Sequence, residues 1–472
     1  MALILTGSAR TNKFERYSLL FTPPYPLFRA VRHGETRRFV MSTLAERQLY
    51  FQEANRWFVE TMVNLASQYQ AKPEQLQSHQ GSLLSALQQA FDNHLNDLFI
   101  QGTFAMSRFW ETFGDYKIAL VFHERCTQAA HTNEAKARAL FNHSYISEKQ
   151  GDYEKSLLLC ETGLTQARKT DNKYLIVDLI WQVSRMKIKM GRIESGEQLI
   201  NEGLKLAESV DYQERLGWLL NVVGFVADNF HSDYARAESL YKRAIPIAIS
   251  QHSQELLGDL YLNLSIIYVR KGMYELAKEQ LEEALTIAQQ IGHREQICYI
   301  LLNLGVVQAN LNKDNLDFTL AYIEKAMAVA HEIGHLELLG MAYMHTGSIA
   351  TMNKQFDLAA NYFSQAHSYF SKIGNTIFMA GVLTEQGKLY IASEQWEKAW
   401  EFYIEALAFI QANNLQEFEG KALFGLAQAA AGQGNLTKAK ELGTESLALL
   451  QRIQNENADE VGEWLSALLD EG

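Results

Sequence analysis

The sequence is poor in the residues that interrupt helices or cross-link chains. Its 472 residues include only five prolines and three cysteines, against 29 glycines. Proline breaks helix interiors and glycine commonly ends helices, so this balance predicts many helices joined by short turns. Cys126, Cys160 and Cys298 are too few for a disulfide framework and form no Cys-x-x-Cys pair, which indicates a reducing compartment.

The chain also lacks the features of several other classes of protein. A net charge of −12, with no run of Lys or Arg, argues against nucleic acid as a partner. No stretch reaches the roughly 18 apolar residues of a membrane span, and the opening MALILTGSAR does not read as a signal peptide. No GxxxxGK[ST] loop for nucleotide phosphates occurs. We therefore expect a cytoplasmic protein without cofactor or membrane contact.

What the sequence does contain is a repeat of about 40 residues, marked by a short turn and then an aromatic or aliphatic residue. Successive turn residues are 37, 40, 41, 40, 42, 40, 40 and 40 positions apart. They are Tyr116, Tyr153, Ile193, Tyr234, Tyr274, Leu316, Phe356, Trp396 and Leu436. Apolar residues at helical spacing precede and follow each turn, as in LYLNLSIIYVRKG and ELAKEQLEEALTIA, so each repeat is predicted to be a helical hairpin.

One repeat resembles the tetratricopeptide (TPR) pattern closely. A leucine, a small residue and an aromatic on its first helix precede alanine, a large apolar residue and alanine on its second: Leu264, Ser265, Tyr268, Ala277, Leu281 and Ala284. In other repeats, Gly347 and Gly387 are expected where the first helix approaches the second most closely. The resemblance implies an all-α fold, a right-handed superhelical α-solenoid of about nine TPR-like hairpins.

The repeats divide the chain into four predicted segments. These are an irregular lead-in at 1–39, an N-terminal helical segment at 40–100, the TPR solenoid at 101–455 and a capping helix at 456–472. Helices are predicted over residues 40–71 and 80–100.

The stretch SLLSALQQA, followed by Phe109, Trp110 and Gly114, resembles the start of the TPR sensor arm in STAND signalling ATPases, including the MalT-like transcription regulators. Without the ATPase motif, this resemblance implies a sensor or adaptor arm that acts alone or beside a separately encoded effector.

Two short motifs resemble catalytic signatures. RHGET at residues 32–36 matches the histidine phosphatases, but no alternation of strands and helices follows to build their fold. HEIGH at residues 331–335 matches the HExxH of zinc proteases. The same place one repeat earlier reads Ile291-Gly292-His293, so Gly334 is expected to end a helix and separate the two histidines. We therefore expect a non-enzymatic protein without a metal site, and disfavour phosphatase or metalloprotease activity.

First helices of successive TPR hairpins line the concave surface of a solenoid, so the candidate binding residues lie there. An asparagine recurs on these helices, and its amide offers one donor and one acceptor to a peptide group: Asn142, Asn221, Asn263 and Asn303. Aromatic and arginine residues fall on the same side: Arg138, Tyr145, Trp181, Arg185, Trp218 and Phe225. These residues predict a groove for a protein or peptide segment, centred on residues 138–310.

Two alternatives to this groove remain open at the level of sequence. The amides could bond to neighbouring helices and the aromatic residues could pack between repeats, which would make both sets structural. The solenoid could also sense a small molecule, as the resemblance to MalT-like arms implies.

Overall fold

The computed structural model describes residues 44–70, 72–312 and 317–470. It divides into two units, Met1–Phe58 and Val59–Gly472, and the hairpins all belong to the second. The RHGET motif and the predicted lead-in at 1–39 lie outside the described residues. None of the helices in the described ranges is long and apolar enough to cross a membrane.

Before the repeats, helix α1 covers Leu44–Gln68, a 3₁₀ helix covers Pro73–His79 and α2 covers Gln80–Asp92. Nine hairpins then follow in the described residues: α3 Asn96–Phe113 with α4 Tyr116–Ala129, α5 Asn133–Lys149 with α6 Tyr153–Ala167, α7 Lys173–Lys189 with α8 Ile193–Ser209, α9 Gln213–Asn229 with α10 Tyr234–Ser250, α11 Gln254–Arg270 with α12 Tyr274–Ile291, α13 Arg294–Leu311 with α14 Asp317–Ile333, α15 Leu336–Met352 with α16 Phe356–Ile373, α17 Thr376–Ala392 with α18 Trp396–Ala412, and α19 Gln416–Gly432 with α20 Leu436–Arg452. Helix α21, Asn457–Asp470, packs against α20.

This order confirms the predicted all-α solenoid of TPR-like hairpins, and no strand occurs in the described ranges. Every predicted turn residue except Leu316, which lies outside those ranges, is the first residue of a second helix. The prediction of one helix over 80–100 is wrong. Helix α2 ends at Asp92 and α3 begins at Asn96, because His94 takes a left-handed backbone conformation with φ of 56°.

The two helices of a hairpin approach closely where the sequence has glycine. A Cβ atom on Gly347 would stand 2.8 Å from the ring of Phe363, and one on Gly387 would overlap the ring of Tyr403. The absent side chain is therefore replaced by an aromatic ring from the second helix. Both rings are fully buried, so these contacts form part of the core between the helices.

The HEIGH motif spans a helix boundary, as the repeat predicts. Helix α14 ends at Ile333, and Gly334 has a left-handed φ of 67°. His335 then caps α15 by accepting a hydrogen bond from the Leu338 backbone N–H through Nδ1. The two histidines thus belong to different helices and lack the i, i+4 geometry of a zinc protease.

The hairpins contact others that lie four or five hairpins further along the chain. The Tyr116 hydroxyl donates to Glu295 at 2.9 Å, and the Tyr274 hydroxyl donates to Glu456 at 2.6 Å. Lys149 forms a buried ion pair with Glu295 at 2.7 Å. Long-range polar contacts, between residues more than 140 positions apart, therefore occupy part of the inner wall.

Candidate ligand cavity

A cavity of about 720 Å³ lies among the hairpins of the second unit. Most of its wall comes from the first helices, from α5 to α19, and residues 455–457, at the start of α21, complete it. Pockets for small ligands typically measure about 300–1,000 Å³, so this space is large enough for a short peptide segment. It extends beyond the predicted range of 138–310, because hairpins seven to nine return to face hairpins two to five.

Eight of the ten predicted binding residues line this cavity: Tyr145, Trp181, Arg185, Trp218, Asn221, Phe225, Asn263 and Asn303. Three of them form one aromatic cluster. The Trp181 ring stacks on Tyr145 at 6.2 Å between centroids and meets Trp218 edge-on at 5.7 Å. The guanidinium groups of Arg185 and Arg215 each lie 4.4 Å from the Trp181 ring centroid. These cation–π contacts hold a large, rigid surface at the wall.

The asparagine side chains use only part of their hydrogen-bonding capacity. Asn263 Nδ2 donates to Asn221 Oδ1 at 2.8 Å, so these two amides bond to each other across neighbouring first helices. Asn303 Nδ2 donates to the Tyr299 carbonyl oxygen at 2.9 Å. Among the described residues, Asn221 Nδ2 and Asn263 Oδ1 make no further hydrogen bond, which leaves an amino group as donor and a carbonyl oxygen as acceptor on this pair. The structure thus contains the intramolecular bonds of the structural alternative and retains the groups that the binding alternative requires.

Asn142 and Arg138 lie in a second cavity, of about 570 Å³. Asn142 Nδ2 donates to Ser107 Oγ at 3.3 Å, and the Arg138 guanidinium lies 5.9 Å from the Phe104 ring centroid. Glu255 lines both cavities, so it lies at their boundary. The predicted ten-residue surface is therefore divided, because the start of α11 reaches this boundary from three hairpins further along the chain.

The cations of the larger cavity are mostly paired with acids. Arg185 pairs with Glu148 at 2.8 Å, and Lys388 pairs with Glu385 at 2.7 Å. Burial alone would raise the pKa of Glu148, but Arg185 and the neighbouring lysines outweigh it and lower that pKa to about 2. The acids are not all matched in return. Burial raises the pKa of Asp259 to about 6, and its carboxylate accepts a hydrogen bond from the neutral amide of Gln296.

Sequence reasoning missed a cluster of three side chains at the boundary of the two cavities. Ligand-type atoms of Glu111, Glu255 and His293 all lie within 4.8 Å of one another. Burial, followed by the charge of Glu255, raises the pKa of Glu111 to about 7. A signal for this site exists in the repeat, because glutamate recurs as the second residue of a first helix at Glu255, Glu295, Glu337 and Glu417. An alignment that covers only the middle of each first helix does not include this glutamate position.

The geometry of His293 bears on whether this cluster could hold a metal ion. Its Nδ1 atom accepts a hydrogen bond from the Gln296 backbone N–H at 3.2 Å, so a neutral ring carries its proton on Nε2. Burial lowers the pKa of His293, but Glu255 outweighs burial and raises it to about 9. Nε2 therefore carries a proton in either charge state. A metal ligand must instead offer a lone pair there and donate from the other nitrogen, so the histidine fits a metal poorly.

The comparisons with known proteins agree with this architecture at the level of a repeat. Residues 258–291, which contain the pattern around Leu264 and Ala277, match the tetratricopeptide repeat. No curated protein sequence matches the chain significantly.

Several solved structures resemble the chain in the arrangement of their helices. A Rap protein complexed with competence and sporulation factor is 13% identical, with a TM-score of 0.48 over 71% of this chain and 98% of that one. Aspartyl phosphate phosphatase F from Bacillus subtilis is 15% identical, with a TM-score of 0.46 over 77% and 95%. A STAND protein with a TPR sensor from Pyrococcus horikoshii is 17% identical, with a TM-score of 0.43 over 74% and 51%, so this chain spans about half of that protein.

The helical hairpins define the fold as a TPR-like α-solenoid, and one stretch of it matches the tetratricopeptide repeat. TPR-type solenoids present binding surfaces on their first helices, and here those helices enclose a cavity.

Proposed function

We propose that this protein is a non-enzymatic scaffold that binds a short peptide or an extended protein segment in the larger cavity. The observation that carries the proposal is the convergence of eight predicted contact residues, chosen from sequence spacing alone, on one cavity wall. An aromatic cluster held by two arginines supplies apolar area with little rotamer freedom to lose, as recognition sites typically do.

The asparagine pair gives the cavity a specific means of holding a peptide main chain. A peptide group presents one N–H and one carbonyl oxygen, and the Asn221–Asn263 pair retains one acceptor and one donor. Their bond to each other keeps both amides ordered before a ligand arrives, which lowers the entropic cost of binding. The same proposal includes a role as a sensor or adaptor arm, in which the bound segment signals to a separately encoded effector.

The test is affinity selection from a synthetic pool of random hexapeptides with the full chain, followed by mass spectrometry of the retained peptides. We expect the wild-type protein to retain a defined subset, and the double variant Asn221→Ala/Asn263→Ala to retain about thirtyfold less, because two lost hydrogen bonds of about 1 kcal/mol each together contribute about 2 kcal/mol. Removing both partners together leaves neither amide unpaired, so helicity and melting should be unchanged.

Asn142→Ala is the matched control, since Asn142 lies in the other cavity. It should retain peptides as the wild type does. Retention of no peptide by the wild-type protein, with stabilisation by sugars or nucleotides in a thermal shift assay, would replace this proposal with the small-molecule sensor. Equal retention by the wild type and the double variant would remove the asparagine pair from the binding surface.

A further inference from the structure

The contacts between distant hairpins share one sequence register, and the two positions are chemically matched in four of five cases. One position of each pair is the residue four places before a turn residue. The other is the second residue of the first helix that lies four hairpins further along the chain. We call each such pair of positions a junction. Three junctions are a cation with a glutamate: Lys149 with Glu295, Lys189 with Glu337, and Arg270 with Glu417. The fourth is apolar at both positions, Phe230 and Ile377, and both side chains are buried.

The exception is the junction between the first and fifth hairpins. Its glutamate is Glu255, but the position of the cation holds Thr112, a small side chain only 5% exposed. The neighbouring residue, Glu111, brings a second carboxylate to Glu255 instead. The three ionic junctions each hold one acid and one lysine or arginine, whereas this one holds two acids with the protonatable histidine His293 beside them. Burial and the mutual repulsion of these carboxylates are what raise the pKa of Glu111.

A buried hydrogen-bond donor, His293 Nε2, lies beside the same two carboxylates. Among the described residues His293 Nε2 has no acceptor within hydrogen-bond length, although its side chain is only 8% exposed; Glu255 Oε1, its ion-pair partner, lies 3.6 Å away. The equivalent histidine one repeat later, His335, faces Glu295 at 3.5 Å, but there Lys149 completes the junction. A buried donor without a close acceptor is costly, so the cluster lacks an acceptor for Nε2–H as well as the lysine or arginine of the ionic junctions.

We propose that the Glu111–Glu255–His293 cluster receives the free amino terminus of the peptide bound in the larger cavity. The ammonium group lies against the two carboxylates, where the ionic junctions hold a lysine or arginine. The first carbonyl oxygen of the peptide accepts the hydrogen bond of His293 Nε2–H. The inference rests on the proposed function, because it places one end of the ligand at the boundary of that cavity.

The chemistry selects an amino terminus over two other cations. A metal ion would require the lone pair of His293 Nε2, which the cap on Gln296 keeps protonated. A lysine side chain would satisfy the carboxylates but has no acceptor close to its ammonium group. In a peptide amino terminus, the carbon that bears the nitrogen is bonded directly to the carbonyl carbon. Of these cations, only the amino terminus therefore supplies the positive charge and the acceptor together.

The test compares two hexapeptide pools of the same random composition, one with free amino termini and one acetylated, both with amidated carboxyl termini. Affinity selection with the full chain, in buffer containing EDTA, should retain the free pool about tenfold more than the acetylated pool. A charge-assisted hydrogen-bond pair is strong enough for a preference of this size.

Four variants locate the preference. Glu111→Gln/Glu255→Gln should lose it by removing both charges, and Thr112→Lys should lose it by supplying the cation from within the chain. His293→Asn should weaken it while preserving the helix cap, because Asn375 caps α17 through its own side chain. Asp259→Asn, which removes a charge from the same cavity outside the cluster, should leave the preference unchanged.

The outcomes separate this inference from the function on which it rests. Retention of neither pool contradicts the peptide-binding function itself. Equal retention of both pools overturns the amino-terminal site and leaves the peptide cavity standing. A preference that survives Glu111→Gln/Glu255→Gln, or that Asp259→Asn abolishes equally, also overturns it, since the selectivity would then come from another site or from the general charge of the cavity.

Discussion

The junctions at Glu295 and Glu255 show how one repeat position can serve two purposes. Glu295 accepts hydrogen bonds from Lys149 and Tyr116, and its side chain is 7% exposed. Glu255 occupies the same position of its helix but meets Glu111, and it lines both cavities. In the first junction the protein neutralises a buried acid with its own cation. In the second, another acid comes close to the glutamate and the position of the lysine holds a threonine, and this difference supports the proposed amino-terminal site.

The largest effect should come from breaking a complete junction. Glu295→Ala leaves Lys149 buried without its partner, and removal of one member of a buried ion pair typically costs about 3–5 kcal/mol. Glu255→Ala should lower the free energy of unfolding by less than Glu295→Ala, because it strands no lysine or arginine, His293 can lose its proton, and Glu111 is relieved of a neighbouring charge. Urea unfolding followed by circular dichroism measures both. Equal losses would show that the two junctions are energetically alike and would undo the comparison.

The pH dependence of stability should distinguish the incomplete junction next. The carboxyl group of Glu111 faces Glu255, His293, Lys149 and Tyr145, and its pKa is raised from 4.5 to about 7. A raised pKa contributes stability that is complete below the unfolded value and is lost as the pH rises through the folded value. Relative to Glu111→Gln, the wild type should therefore lose up to about 3 kcal/mol between pH 4.5 and 8.

Thermal melting of the wild type and Glu111→Gln at pH 5 and pH 8 tests this expectation. The two proteins should melt together at pH 5, and the variant should melt higher at pH 8. Glu124→Gln, at an exposed position on α4, provides the control and should follow the wild type at both values. A Glu111→Gln protein that melts lower than the wild type at pH 8 would mean that this carboxylate is stabilised in its charged form.

The smallest effect sets the scale for the others. Lys438 and Glu441 form an ion pair at 2.8 Å on one helix, with side chains 40% and 64% exposed. Glu441→Ala should change the free energy of unfolding by about 0.3 kcal/mol, because exposed pairs are screened by water. The same urea titration measures it. A loss comparable to that of Glu295→Ala would remove the distinction between junctions and ordinary surface pairs.

Sequence reasoning succeeded where the physics is local. The turn residues Tyr116 and Tyr153 begin second helices because hairpin geometry depends on neighbours within one repeat. It also placed Trp181 and Trp218 on one surface, since helical periodicity fixes which face a side chain occupies. It failed at the groove boundaries, and it assigned Asn142 and Arg138 to the larger cavity, because both depend on where the repeats meet again after four or five hairpins.

The sequence by itself determined the repeat, the hairpin and the inward face of each first helix, because these follow from spacings of three to forty residues. Only the tertiary structure decided that Glu255 meets Glu111 rather than a lysine. The small rotation between successive hairpins accumulates along the solenoid, so the partner of a residue more than 140 positions away depends on the sum of many packing angles. No local sequence pattern encodes that sum. The repeat register describes which residues are paired only once the contacts are known.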